Sequence, residues 1–265
     1  MSKIKYQNLI KQKGKKPITC LTAYTKSIAK ILDGKVDIVL VGDSLGTVLY
    51  GMKNTQAVTL QMMKDHGKAV CTNIKRSLTI IDMPYKSYAD KKQAFKNAKS
   101  ILNYTNADCI KLETDEKNFE IIKYLIDKKI NVVGHIGVLP QKFRDFKKIK
   151  SVGKGKKESN DLVSLAINLQ KIGVKLIILE CIKDLVAKKI TNKLTIPTIG
   201  IGSSKHCDGQ VLVTNDLLNL DLEKKIPRFV KTYTNLNKLI SLAVEKFTKE
   251  VKSKKFPSNK NSYKL

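Results

Sequence analysis

Short runs of aliphatic and β-branched residues recur along the chain, and each gives way to a stretch whose apolar positions return every three or four residues. The runs are ITCLTA (18–23), DIVLV (37–41), LTIID (78–82), DCIKLE (108–113), NVVGH (131–135), VKLIILE (174–180), IPTIG (196–200) and, most weakly patterned, QVLV (210–213). Strand followed by helix, repeated, is the sign of βα units. Eight such units predict a closed (βα)8 TIM barrel of the α/β class.

The helical stretches are legible between the strands. Asp90 and Gln93 have the spacing of a capping box, ahead of Ala94, Phe95, Ala98, Ile101 and Leu102 on one face. Leu162, Leu165, Ala166, Leu169 and Ile172 make a second apolar face, with Gly173 placed to close it. The pattern from about Phe229 to Val251 predicts an amphipathic helix, and KSKKFPSNKNSYKL after it a polar tail. The 265 residues suit one barrel of about 250 residues. The expectation is a single domain over 1–265 with short polar tails at both ends.

Composition narrows the class. No apolar run approaches the roughly 20 residues that span a bilayer, and MSKIKYQNLIKQKGKKP lacks the apolar core of a signal peptide. A soluble, cytoplasmic protein without membrane contact is expected. Cys20, Cys71, Cys109, Cys181 and Cys207 include no C-x-x-C pair and lie mostly in or beside apolar stretches, so they read as reduced packing residues. The net charge of +28 would attract nucleic acid. Yet Arg76, Arg144 and Arg228 are the only arginines, the lysines run from end to end, and aromatics are just 6%. Without a basic stripe or stacking platforms, the charge reads as a solvated lysine surface, with no specific nucleic-acid partner.

The chemistry lies in where the runs end. Asp43 follows the second run, Asp82 ends the third, Glu113 the fourth, His135 the fifth and Glu180 the sixth. A parallel barrel builds its active site from those carboxyl ends, so the five groups are expected to converge. Singly, each carboxylate reads equally as a helix cap or loop group, and His135 as a hydrogen-bonded core residue. Asp43 and Asp82 with Glu113 nearby make an oxygen-rich site that suits magnesium and not zinc. Lys111 lies two residues before Glu113 and so shares its face. It can pair with a substrate carboxylate or close a salt bridge to Glu113 or Asp82. Glu180 ends an apolar run, where desolvation would fit it to act as a general base. The turns Asp43-Ser44-Leu45-Gly46 and Gly200-Ile201-Gly202-Ser203 lack nucleotide-loop spacing and are not phosphate cradles.

LTAY (21–24), VLVGDSLG (39–46), DMPY-x-SY (82–88), IKLE (110–113), GHIGVLPQ (134–141), LECI (179–182), IPTIGIG (196–202) and DGQVLV (208–213), in this order, resemble the ketopantoate hydroxymethyltransferase family. The closing FPSNKNSY (256–263) fits as well. The resemblance implies a (βα)8 barrel of the phosphoenolpyruvate/pyruvate type. It also implies magnesium, 5,10-methylenetetrahydrofolate as co-substrate, 3-methyl-2-oxobutanoate as acceptor and a cytoplasmic homodecamer. By the same resemblance Asp43, Asp82 and Glu113 would hold the metal, Glu113 directly or through water. Asp43, Ser44, Asp82, Lys111 and His135 would meet the keto acid, and Glu180 would be the base. Thr25, Met52, Ser203, Ser204 and Asn215 depart from the family pattern, and bear on folate affinity, loop closure and rate. Two alternatives stand beside this reading: a related metal-dependent α-keto acid lyase barrel, and a drifted, basic binding protein.

Overall fold

The computed structural model describes residues 3–145, 148–220 and 227–263. All eight runs form strands: β1 (Ile18–Thr22), β2 (Ile38–Val41), β3 (Leu78–Asp82), β4 (Cys109–Glu113), β5 (Val132–Gly137), β6 (Ile177–Glu180), β7 (Thr198–Ile201) and β8 (Gly209–Leu212). Each pairs in parallel with the next, and β8 returns to β1, so the sheet closes as a barrel. The chain forms two compact units, Met1–Val213 and Thr214–Leu265. The first holds the barrel with α1 (Tyr6–Ile10), α2 (Lys26–Leu32), α3 (Leu45–Tyr50), α4 (Leu60–Cys71), α5 (Lys91–Thr105), α6 (Phe119–Asp127), α7 (Lys156–Lys171) and α8 (Asp184–Lys193). Among the described residues no helix is long and apolar enough to cross a membrane.

Strand side chains alternate between two surfaces. Ile18, Ile38, Ile80, Cys109, Val133 and Ile178 belong to one buried cluster inside the barrel, whereas Val39, Ile81, Ile110, Leu112, Ile136 and Leu179 pack outward with the helices. The residue two beyond an inward hydrophobe faces inward too. Asp82 follows Ile80 in this way, Lys111 follows Cys109, His135 follows Val133 and Glu180 follows Ile178. The period of two therefore stacks polar groups above an apolar plug.

Three aspartates stitch the strand starts together. Asp37 Oδ2 accepts from Thr19 N at 2.9 Å and its hydroxyl at 2.8 Å. Asp108 Oδ2 does the same for Thr79, at 2.8 and 2.6 Å, and Asp208 Oδ2 for Thr198, at 2.8 and 3.2 Å. Each aspartate precedes the strand that neighbours its threonine, so these bonds pin the register at β1–β2, β3–β4 and β7–β8.

The polar N-terminal tail expected from sequence is partly structural. Tyr6 and Leu9 of α1 are buried in the interior cluster, and Tyr6 donates its hydroxyl hydrogen to Val132 O at 3.0 Å. Their apolar surface closes the end of the barrel where the strands begin. At the start of α5, Asp90 accepts from Gln93 N at 2.9 Å, while Gln93 Oε1 accepts from Ala89 N at 2.8 Å and not from Asp90's own N–H. Gly173 follows α7 with φ 106°, as a residue closing a helix requires.

The second unit contains α9 (Thr214–Leu217) and α10 (Leu236–Lys252). The helix expected from Phe229 begins at Leu236, where Asn235 caps it by accepting from Lys238 N at 3.0 Å. Val230, Thr232 and Thr234 carry β-branched side chains with weak helical preference, which accounts for the later start. Within this unit Phe247 meets Phe256 edge to face, ring centres 5.5 Å apart. Lys264 and Leu265, the end of the expected polar tail, lie outside the described residues.

Candidate active site

The groups singled out in sequence come together at the carboxyl ends of the strands. Lys111 Nζ lies 3.1 Å from Asp82 Oδ2, on the adjacent strand. The same aspartate oxygen accepts from Asp43 N at 3.1 Å, which ties the turn after β2 to β3. Lys111 Nζ also stands 3.4 Å from His135 Nδ1 on β5, and His135 Nε2 lies 3.1 Å from Glu180 Oε2 on β6, without the alignment of a full hydrogen bond. Ser44 turns its hydroxyl away from the N-terminus of α3 and towards Tyr24 OH, at 2.8 Å. Asp43, Asp82, Lys111, Glu113 and His135 are all buried. Glu180, where the apolar run led to an expectation of desolvation, keeps 19% side-chain exposure at the rim.

Gln141, which the sequence reading gave no role, joins two of the carboxylates. It sits on the 3-10 turn Pro140–Lys142 that follows β5. Its Nε2 donates to Asp43 Oδ2 at 2.8 Å and to Met83 O at 3.0 Å, and its backbone N donates to Glu113 Oε1 at 3.0 Å. Tyr88 donates to its Oε1 at 2.5 Å. Tyr24, Tyr88 and Gln141 all lie in motifs that sequence reading picked out, but they sit in turns and loops, where periodicity assigns no direction. Gly42 is a further omission: a Cβ there would lie 2.9 Å from Ser44 Oγ and 3.6 Å from Asp82 Oδ2.

The electrostatics are set by burial. Desolvation raises Asp43, Asp82 and Glu113, and although Lys111 opposes it in each case, Asp82 stays at about 7. Lys111 is itself pulled down by burial, but Asp82, Asp43 and Glu113 outweigh that and hold it protonated. Burial and the neighbouring Lys111 push His135 below its usual range, so it is neutral. Asp82 Oδ1 and Glu113 Oε2 are buried with no hydrogen-bond partner. Unpaired buried acceptors are costly, and three carboxyl groups around one lysine leave the mouth short of positive charge. Among the described residues no three His, Cys, Asp or Glu side chains form a ready-made metal cage. A magnesium ion needs only one or two protein carboxylates, with water and substrate completing its shell, so this donor set fits a hard cation.

The family model of ketopantoate hydroxymethyltransferase matches residues 3–259. The chain belongs to this family. A 3-methyl-2-oxobutanoate hydroxymethyltransferase from Pelagibacter ubique (strain HTCC1062) is 49% identical over 98% of this chain and 99% of its own length. One of the same name from Rhizobium etli is 44% identical over 95% of this chain and 92% of its own. Membership of the ketopantoate hydroxymethyltransferase family makes the chain an enzyme of hydroxymethyl transfer, not a basic binding protein. Among solved structures, an oxaloacetate acetylhydrolase bound to 3,3-difluorooxalacetate superposes with a TM-score of 0.60 at 12% identity, over 96% of this chain and 97% of that one. A phosphonopyruvate hydrolase gives 0.58 at 10% identity, over 95% and 88%. These two share the barrel fold alone.

Three of the departures from the family pattern are absorbed locally. Thr25 caps α2 by accepting from Ile28 N. Ser203 donates to Ile182 O at 3.1 Å, and buried Ser204 donates to Asp184 Oδ1 at 2.8 Å.

Proposed function

We propose that the chain transfers a hydroxymethyl group from 5,10-methylenetetrahydrofolate to 3-methyl-2-oxobutanoate, giving 2-dehydropantoate on the way to pantothenate and coenzyme A. The observation that supports it most directly is the buried set Asp43, Asp82 and Glu113 around Lys111, with oxygens of Asp82 and Glu113 left without partners. Magnesium is the metal of this reading, held by Asp43 and Asp82, with Glu113 ligating directly or through water. When bound, the cation supplies Lewis-acid polarisation of the keto oxygen and so lowers the cost of removing the C3 proton.

The protein's own groups do the rest. Lys111, protonated at neutral pH, offers its ammonium to the keto acid's carboxylate. Ser44 and His135, with Asp43 and Asp82 beneath, line the polar edge of the same substrate. Glu180, at the rim beside the neutral His135, takes the C3 proton. The C3 carbon then bonds to the folate's one-carbon unit, the two bonds from that unit to the folate nitrogens break, water supplies the hydroxyl group, and the proton taken from C3 together with one from water ends on those nitrogens as tetrahydrofolate leaves. Folate carries the electrophile, and the protein supplies position and field. The family reading also carries a cytoplasmic homodecamer, for which sedimentation of the purified chain is the check.

The test is proton NMR of 3-methyl-2-oxobutanoate in heavy water with protein and magnesium, followed by 5,10-methylenetetrahydrofolate. Magnesium-dependent loss of the C3 proton and then appearance of 2-dehydropantoate is the expected result. A folded, metal-loaded sample that exchanges nothing overturns the reading.

A further inference from the structure

From the bonds that meet at Gln141, we infer that this residue positions the metal-binding carboxylates, a role that rests on the magnesium reading above. Gln141 binds no reacting atom. It acts through Asp43 and Glu113, which approach it from strands on different parts of the barrel wall. An amide nitrogen has two hydrogens, and those of Gln141 are both used, on Asp43 Oδ2 at 2.8 Å and Met83 O at 3.0 Å. Tyr88 OH donates to the amide oxygen at 2.5 Å, so the side chain is held the right way round from both ends. The backbone is held as well: Gln141 N donates to Glu113 Oε1 at 3.0 Å, and Gln141 O accepts from Gln56 Nε2 at 2.8 Å.

At Glu113 the consequence is a division of labour between the two carboxylate oxygens, and Asp82 shows the same division through Lys111 and the backbone of Asp43. Glu113 spends Oε1 on Gln141 and keeps Oε2 buried without a partner. Asp82 spends Oδ2 on Lys111 and the backbone of Asp43, and keeps Oδ1 buried without a partner. One oxygen of each group is fixed by the protein, and the other is left for a cation. A neutral amide suits this post better than a lysine, because it donates hydrogen bonds without adding positive charge where a cation must compete. Groups that orient metal ligands in this way commonly contribute ten- to a hundred-fold to affinity. The loop after β5 thereby delivers donors to the carboxylates that follow β2 and end β4 at once.

Gln141→Met and Gln141→Leu both remove the side-chain donors without adding charge, the first keeping the length of the side chain and the second shortening it. Tyr88→Phe removes only the bond that orients the amide. Manganese(II) serves as the probe, its free fraction read by electron paramagnetic resonance, with circular dichroism to check folding. Wild type should bind it, both Gln141 variants should bind about ten-fold more weakly or worse, and Tyr88→Phe should lie between. In parallel, the concentration of magnesium giving half-maximal C3 exchange should rise, while saturating metal restores most of the rate. Wild-type manganese affinity in a folded Gln141 variant overturns the inference. Should neither Gln141 variant fold, unchanged affinity in Tyr88→Phe overturns it. A wild-type protein that binds no manganese would instead overturn the metal reading itself.

Discussion

Lys111 Nζ lies 3.4 Å from His135 Nδ1, and because a protonated lysine can only donate, that ring nitrogen is the acceptor. The imidazole proton therefore sits on Nε2, the atom 3.1 Å from Glu180 Oε2. One lysine thus sets the tautomer of a histidine, which in turn presents an N–H towards the proposed base. His135→Leu removes that N–H and should slow C3 exchange by about 100-fold, with the keto acid's KM changed far less. His135→Gln returns a donor and should recover part of the loss. Equal rates in the two variants would show that the N–H does not matter.

Glu180→Gln tests the base itself. The amide keeps the shape at the rim but cannot take a proton, so exchange should fall by about 100- to 10,000-fold. Metal and keto acid should bind as in wild type, by manganese titration and calorimetry. Exchange at the wild-type rate would remove Glu180 from the mechanism.

Lys111 links a substrate role to stability. Its ammonium compensates Asp82 at 3.1 Å inside the protein, and breaking such a buried pair costs about 3 kcal/mol. Lys111→Met should therefore lower the thermal midpoint of the metal-free protein and raise the keto acid's KM. Magnesium should recover much of the stability and little of the KM, since the cation replaces the charge but not the ammonium's contact with the substrate. Full recovery of both would deny Lys111 a substrate role.

Gly42 offers a steric probe of the same mouth. A methyl group there would press on Ser44 Oγ at 2.9 Å, and that hydroxyl is already tied to Tyr24. Gly42→Ala should shift Ser44 and lower kcat/KM by about ten-fold or more, as small misplacements at reacting centres do. Ser44→Ala relieves the clash, so the double variant should be no slower than Ser44→Ala alone. A double variant slower than that would point to a clash elsewhere.

The barrel was legible because eight apolar runs each alternate with a helical pattern, and that signal is local. The strand-end groups were legible for the same reason: the period of two that buries Ile80, Cys109, Val133 and Ile178 also turns Asp82, Lys111, His135 and Glu180 inward. Gln141, Tyr24 and Tyr88 were not, because a loop residue's direction depends on contacts with strands far away in sequence. The bond from Gln141 to Asp43 spans 98 positions. The burial of Tyr6 and Leu9 was hidden likewise, by lysines on either side that give the segment the composition of a tail. Glu180 was expected to feel desolvation from the apolar residues before it; as the last residue of its strand it stands at the rim and keeps part of its side chain exposed.

Away from the site, Asp33 makes a test of pH dependence. Its carboxylate accepts from the backbone N–H groups of Lys75 at 3.0 Å, Arg76 at 2.8 Å and Ser77 at 3.0 Å. Partial burial tends to raise its pKa, but the hydrogen bonds from Ser77, Arg76 and Lys75, with the charge of Arg76, outweigh that and lower it. A carboxyl group whose pKa is lower in the folded state binds fewer protons there than in the unfolded chain, where it titrates near 3.9. Its contribution is therefore complete above about pH 4 and is lost as pH falls through the folded value. Asp33→Asn should cost about 1 kcal/mol at pH 7, a modest figure because the site is largely open to solvent. The gap between wild type and variant should narrow as pH falls below about 4, since wild type then carries a neutral carboxyl group too. Urea unfolding of both proteins from pH 7 to pH 3 reads this directly. A gap that stays constant across that range would mean that the carboxylate's charge contributes nothing, and that shape alone holds the Lys75–Ser77 turn.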